Sequence, residues 1–239
     1  MRLHLLGISG PYPASGGATS GYLLEAGGKA LQFDFGSGVL SRLTAVFPPE
    51  DLDALFLSHW HFDHCSDLLP LIYRLEAAHR RLPVYGPEDA SSAVRKIVEN
   101  AACFELQTVS PDSRILLSSD IQILVGPARH PVPGVGYRVE AEEKALGYTG
   151  DTNTLPSLAD FYRGCDLLLA DGLFPQADWA EGKPHLSAAL AAELARDAGA
   201  GQLVLTHLNP AYAPELLLRE AQPLFPRVRL AEAGTELSL

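Results

Sequence analysis

The stretch Ser58-His59-Trp60-His61-Phe62-Asp63-His64 constrains this chain more than any other. It crowds three imidazoles and a carboxylate directly after the apolar run Ala54-Leu55-Phe56-Leu57, which reads as the end of a buried strand. Leu68, Leu69, Leu71, Ile72 and Leu75 follow at helical spacing. The cluster is therefore expected on a loop between a strand and a helix, where a rigid scaffold presents chemistry. In an extended turn, residues i and i+2 point the same way, so His59 and His61 can converge on one ion. Asp63 and His64 open the next element and can face a second ion. Imidazole nitrogen and carboxylate oxygen suit Zn²⁺, and less tightly Mn²⁺ or Fe²⁺. The competing reading is a solvated loop of satisfied histidines, which would gather three of the chain's eight histidines by chance.

The flanking sequence repeats one arrangement, in which apolar strands end in polar residues. Residues 2–8 read as a strand, 7–21 as a Gly-, Pro- and Ser-rich surface loop, and 22–26 with 29–34 as a hairpin across Gly27-Gly28 that ends in Asp34. Residues 82–86 read as a strand and 89–102 as a helix with Ala93, Ile97 and Val98 inward. Residues 104–109, 114–117 and 120–126 read as strands. The second half follows suit: a hairpin over 135–140 and 145–148, a helix over 155–163, a strand over 166–170, a helix over 187–199 and a strand over 202–205. Gly150-Asp151 ends the second hairpin as Asp34 ends the first, and Gly150 permits the sharp turn. No residue-level repeat stands out. The coarse order still suggests two similar halves and an α/β fold in which a β-sandwich carries helices on both outer faces. No linker is long or polar enough to separate a pair of domains, so residues 1–239 are expected to form one.

Three further histidines extend the motif. His130 ends a strand before Pro131, His185 precedes the 187–199 helix, and His207 follows the apolar run 203–205. His4 and His79 read as ordinary strand or helix positions.

With these residues in place, His-x-His-x-Asp-His after an apolar strand resembles the metal motif of the metallo-β-lactamase superfamily. The resemblance implies a four-layer αββα sandwich and two divalent metal ions. His59, His61, His130 and Asp151 would hold one ion, and Asp63, His64, Asp151 and His207 the other, with Asp151 bridging. Asp34 would support the metal loop from behind. The Pro184-His185-Leu186-Ser187 context, Leu205-Thr206-His207 and Gly136-Tyr137 are similar to ribonuclease Z. That likeness implies phosphodiester hydrolysis by hydroxide between the metals, with Asp63 orienting or deprotonating the water and His185, not a ligand, stabilising the developing charge or protonating the leaving group. Ribonuclease Z carries a long basic arm between the third histidine and the bridging aspartate. Here the short span 131–150 is expected to fold back as a hairpin, which puts tRNA processing in doubt and points to a smaller phosphodiester or nucleotide.

Charge agrees with that departure. Eighteen Lys and Arg stand against 29 Asp and Glu, a formal charge of −11, and no run of basic residues appears. A long polyanion would need a broad basic face, so long nucleic acid is disfavoured. Three cysteines, Cys65, Cys103 and Cys165, suggest reduced thiols and a cytoplasmic protein. Cys65 reads as a small buried residue rather than a ligand. No signal peptide and no membrane span is read, and homodimerisation is a further expectation from the family. Trp179 and Phe174 are left between substrate stacking and packing. The rival functions are a thioesterase or lactonase on the same site, a tRNA 3′-end endonuclease, and a non-catalytic metal-bound sensor.

Overall fold

Ala54, Leu55, Phe56 and Leu57 are all fully buried, although their side chains alternate between two faces. A strand buried on both faces must lie inside layers, and the topology shows how. The computed structural model describes residues 1–239. In the first sheet, β1 (Arg2–Gly7), β2 (Gly21–Ala26) and β3 (Lys29–Phe33) form an antiparallel meander, to which β4 (Ala54–Phe56), β5 (Leu82–Pro87) and β6 (Phe104–Val109) add in parallel. In the second, β7 (Arg114–Ser118), β8 (Ile121–Pro127), β9 (Val135–Ala141) and β10 (Lys144–Tyr148) are antiparallel, and β11 (Leu167–Asp171), β12 (Gln202–Thr206) and β13 (Val228–Leu230) continue in parallel. The C-terminal β14 (Glu236–Ser238) crosses back to pair with β1 on the edge of the first sheet.

The helices cover the outer faces. α1 (Val39–Val46), α2 (Phe62–Cys65), α3 (Leu68–Ala77) and α4 (Ala93–Asn100) follow strands of the first sheet. α5 (Leu158–Phe161), α6 (Ala188–Asp197) and α7 (Pro214–Ala221) follow strands of the second. Alternate strand residues sort into separate cores. Phe33, Phe56, Val139, Tyr148 and Leu169 pack between the sheets. Leu55, Leu57, Leu71 and Val98 pack under one helical layer, and Leu168, Leu203, Ala191 and Ala195 under the other. The expected four-layer sandwich is thus present.

A residue-level repeat is also present, contrary to expectation. β3 reads Lys29-Ala30-Leu31-Gln32-Phe33 and β10 reads Lys144-Ala145-Leu146-Gly147-Tyr148. Asp53 accepts from Lys29 Nζ at 2.7 Å and from Ala30 N at 2.9 Å. Asp166 accepts from Lys144 Nζ and Ala145 N at the same two distances. Each aspartate opens the parallel strand beside its hairpin, so the two halves are built on one plan down to a shared ion pair.

Other expectations shift for local reasons. The helix expected over 89–102 begins only at Ala93, because Asp89 forms a turn that accepts from Ser91 N and Ser92 caps Arg95 N. Its inward residues are Val94 and Val98, while Ile97 is exposed. The helix expected over 155–163 is a single turn, Leu158–Phe161, after Pro156. α7, β13 and β14 had no sequence expectation. They are short, and β13 and β14 are edge strands with weak apolar alternation.

Phe56 stacks between Phe33 (ring centroids 5.2 Å) and Tyr85 (4.9 Å) and meets Tyr137 edge-on at 5.6 Å. Phe56→Ala should cost about 3–5 kcal/mol of unfolding free energy, measured by urea denaturation of the metal-free protein.

Candidate metal centre

The polar residues of interest sit at one edge of the sandwich, beyond the C-terminal ends of the parallel strands, where α/β sheets present their sites. Asp34 follows β3, Ser58 to His64 follow β4, and Gly150-Asp151 follow β10. Asp171 ends β11 and His207 follows β12. His130 comes from the turn between β8 and β9, and His185 from the approach to α6. Close packing demands small residues here. A Cβ on Gly10 would lie 2.1 Å from the His207 ring, and one on Gly150, whose φ is +57°, would lie 2.6 Å from Ser58 Cβ.

Proton positions follow from Asp34. It is fully buried and accepts from Ser58 N at 2.7 Å, Ser58 Oγ at 2.8 Å, His64 Nδ1 at 2.7 Å and the Tyr148 hydroxyl. An ionised carboxylate only accepts. So His64 Nδ1 carries a proton, and Ser58 Oγ gives its own to Asp34 and accepts from His59 Nδ1 at 3.0 Å. Nε2 of His59 and of His64 therefore faces the site; burial works against a charged His64, but Asp151, Asp63 and Asp34 raise it well above the usual imidazole range in the metal-free protein, and a cation bound there would displace its Nε2 proton. Ser20 Oγ lies 3.0 Å from His207 Nδ1 and turns that ring's Nε2 the same way.

The inward atoms form two groups. His59, His61 and His130 converge in one, and Asp63, His64, Asp151 and His207 in the other, each with ligand atoms within 4.8 Å of one another. His59 Nε2 stands 3.0 Å from His61 Nδ1. Asp151 Oδ2 lies between the groups, 3.2 Å from His64 Nε2, 3.3 Å from His207 Nε2 and 3.6 Å from His59 Nε2. Burial would raise the Asp151 carboxyl, but His207, His64, His185 and His59 together hold it well below the usual carboxylate range. Burial pushes His59 well down and His130 to about 4, which leaves these two imidazoles neutral and able to ligate. His64 Nε2, His207 Nε2 and Asp151 Oδ1 are buried without a hydrogen-bond partner. Such atoms are costly unless something binds them. Lone pairs on converging nitrogens and carboxylates suit divalent cations, so the donor set fits the metal pair expected from the motif.

His185 stands beside these groups without joining either. It does approach His130 and Asp151 closely enough to form a third potential ligand set. Its Nδ1 donates to Asp171 Oδ2 at 2.8 Å, and its ring stacks on His207 at 5.1 Å. Burial works against the charged ring, but Asp171 and Asp151 raise it to about 9. Sequence reasoning missed Asp171. Its signal was available, an apolar strand ended by Asp-Gly, the same type of strand end that singled out Asp34 and Asp151. Asp171 is held by Thr152 N at 3.2 Å and Leu173 N at 3.1 Å.

Of the aromatic residues left open, Trp179 is half-buried and donates from Nε1 to Asn153 Oδ1, while Phe174 lies edge-on to His185 at 5.9 Å. Cys65 is buried, with Sγ near the carbonyls of Trp60 and His61, and burial pushes its thiol to about 12. It behaves as an inert core residue. A groove of about 490 Å³ opens beside His130, between Pro87, Thr108, Val109 and Pro111 on one wall and Pro131 to Gly134 on the other.

A family model described as "Beta-lactamase superfamily domain" matches residues 32–208. The chain belongs to the β-lactamase superfamily. Within that superfamily it is 32% identical to the probable metallo-hydrolase YhfI of Bacillus subtilis over 98% of both chains. It is 31% identical to the ribonuclease Z of Methanopyrus kandleri over 97% of this chain and 95% of that one. The crystal structure of the B. subtilis YhfI protein superposes with a TM-score of 0.92, at 31% identity, over 99% of this chain and 98% of that one. The short form of human tRNase Z shares the fold, with a TM-score of 0.83 at 20% identity over 100% and 99% of the two chains.

Two tests follow. Asp34→Ala leaves Ser58 N, His64 Nδ1 and the Tyr148 hydroxyl unpaired, and should weaken metal binding about 10–100-fold, read by competition with a chelating indicator. In the metal-free protein the His185 ring, ordinarily near 6.5, should titrate near 9 by NMR. The folded-state value is raised, so its contribution to stability is complete below about 6.5 and lost as pH rises through about 9. Asp171→Asn should lower that midpoint.

Proposed function

We propose that this chain is a dinuclear metal-dependent hydrolase, with two Zn²⁺ as the first expectation, acting on a small phosphodiester such as a nucleotide. The observation that carries the reading is the Asp171–His185 pair beside Asp151, whose Oδ2 lies between the two ligand groups. His59, His61, His130 and Asp151 hold one ion, and Asp63, His64, Asp151 and His207 the other. The bound metals supply Lewis acidity and lower the pKa of water.

The chain's own residues do the rest. Asp63 is partly exposed at the mouth, with Oδ2 3.5 Å from His64 Nε2 and 3.7 Å from His207 Nε2. That position suits it to orient the attacking water and take its proton. In the metal-free protein Asp171 and Asp151 raise His185 to about 9, so its ring carries a proton at neutral pH, and with Nδ1 given to Asp171 its Nε2 has no protein partner. An alkoxide leaving from phosphorus is a strong base, so donation from His185 assists its departure. A thiolate leaves without such help, so a thioester places less demand on this donor, which favours the phosphodiester over the thioester.

The substrate's size is argued from the walls. The span between His130 and Asp151 is the β9–β10 hairpin, with no arm. The groove beside His130 is lined by prolines, valines, hydroxyls and Glu88 and has no cationic lining residue. It suits one neutral, hydroxylated moiety such as a nucleoside better than a chain of phosphates. No helix is long and apolar enough to cross a membrane, in keeping with action on a water-soluble substrate.

Zn²⁺-loaded protein should hydrolyse bis(p-nitrophenyl) phosphate and a cyclic nucleotide. Asp63→Ala should lower kcat about 100- to 10,000-fold on both. His185→Ala should retain its metals and lose far more on the nucleotide, whose leaving alkoxide needs the proton, than on the aryl ester. Absence of turnover on every phosphodiester, with two metals bound, would overturn the reading in favour of a thioester or lactone substrate.

A further inference from the structure

The backbone that leads into His185 is held by very little of its own. Ala180, Glu181 and Gly182 are exposed. Trp179 N and Lys183 N bond only to Gln176 O (3.3 Å) and Ala180 O (3.0 Å), turns internal to the segment. A stretch with so few buried apolar contacts opens readily. Yet His185 needs one orientation to meet Asp171.

One buried side chain supplies the missing tie. Asn153, fully buried two residues beyond Asp151, donates from Nδ2 to the carbonyls of Lys183 (2.6 Å), Glu181 (3.2 Å) and Ala180 (3.3 Å). Its Oδ1 accepts from Trp179 Nε1 (3.1 Å) and Thr154 N (2.6 Å). The same dipeptide also reaches the other way. Thr152 Oγ1 accepts from Arg129 N at 2.9 Å and Asn153 N donates to Arg129 O at 2.9 Å, next to His130. The strand end that carries Asp151 thus fastens the approaches to two other site histidines.

We propose that Asn153 is a positioning residue: its carboxamide fixes residues 179–183 so that the His185 imidazole meets Asp171, and it affects the reaction through His185. The proposal rests on the reading of His185 as proton donor. Carboxamide chemistry is required, because one group must donate to carbonyls and accept from an indole N–H at once. An aspartate of the same shape would set a carboxylate against three carbonyl oxygens.

The test compares metal-loaded wild type with Asn153→Asp, Asn153→Ser, His185→Ala and the Asn153→Asp/His185→Ala double variant. Both Asn153 variants should bind two metals, keep KM near wild type and lose kcat by about 10–100-fold, the scale of a misplaced catalytic group. The double variant should be no slower than His185→Ala, since residues acting through one group are non-additive. Independently of activity, amide exchange over 178–184 should accelerate, and the NMR resonance of the His185 Nδ1 proton, assigned by its loss in Asp171→Asn, should broaden. Losses that multiply in the double variant would overturn the proposal, as would unchanged exchange and an intact resonance in both Asn153 variants. If Asn153→Asp does not fold, the serine variant carries the same readouts. Should the wild type hydrolyse no phosphodiester, the functional reading fails, while exchange and NMR still decide the positioning role.

Discussion

A carboxylate with no exposed surface, Asp34, lies where the two sheets meet, and the metal centre depends on it. An unpaired buried charge costs several kcal/mol. Asp34 avoids that by accepting from Ser58 and His64 of the first half and from Tyr148 of the second. Because it can only accept, it sets the tautomer of His64 directly and of His59 through the Ser58 hydroxyl. One buried charge thereby aims two imidazoles, and it does so only while β3, β4 and β10 keep their places. The aromatic layer of Phe33, Phe56 and Tyr137 holds them there, and the Tyr137 hydroxyl ties to Leu57 O at 2.7 Å, one residue before Ser58.

The two halves use one plan for different ends. Lys29 with Asp53 and Lys144 with Asp166 anchor equivalent hairpins, and each hairpin runs into an aspartate. Asp34 accepts four hydrogen bonds from protein donors, three of them on Oδ2. Asp151, displaced by the turn at Gly150, keeps an unpartnered buried oxygen and stands among imidazoles. Asp171, at the next strand end of the second half, resembles Asp34 in having both oxygens engaged by protein donors, His185 among them. Equivalent strand ends thus supply both the cation-facing carboxylate and the two that orient its neighbours.

The cluster draws on at least six segments of chain, from Asp34 to His207, so its geometry is a property of the folded state. Cation binding and folding are therefore linked, since the unfolded chain offers no comparable site. The chain as a whole carries a formal charge of −11, and this centre gathers the imidazoles and carboxylates that suit a cation.

Much of the fold and centre was legible in order along the chain. Strand periodicity, the His-x-His-x-Asp-His loop and isolated polar residues at strand ends are local signals, written in adjacent residues; they pointed to the sandwich, and the family resemblance built on them named the seven candidate ligands. The Lys-Ala-Leu repeat was equally local and became visible only once register showed which strands correspond. Asp171 carried the same strand-end signal, but the partner that gives it a role, His185, lies 14 positions away. Asn153 and Ser20 were different: an asparagine and a serine in loops are ordinary, and their meaning comes from partners 30 and 187 positions away. The short β13, β14 and α7 depend on what covers them rather than on their own pattern. By itself the sequence determined which atoms could ligate a cation, because that chemistry belongs to the side chain. Only the tertiary structure decided which nitrogen faces inward and which carboxylate is left bare, because a hydrogen bond depends on distance and direction, and these exist only once distant strands have paired.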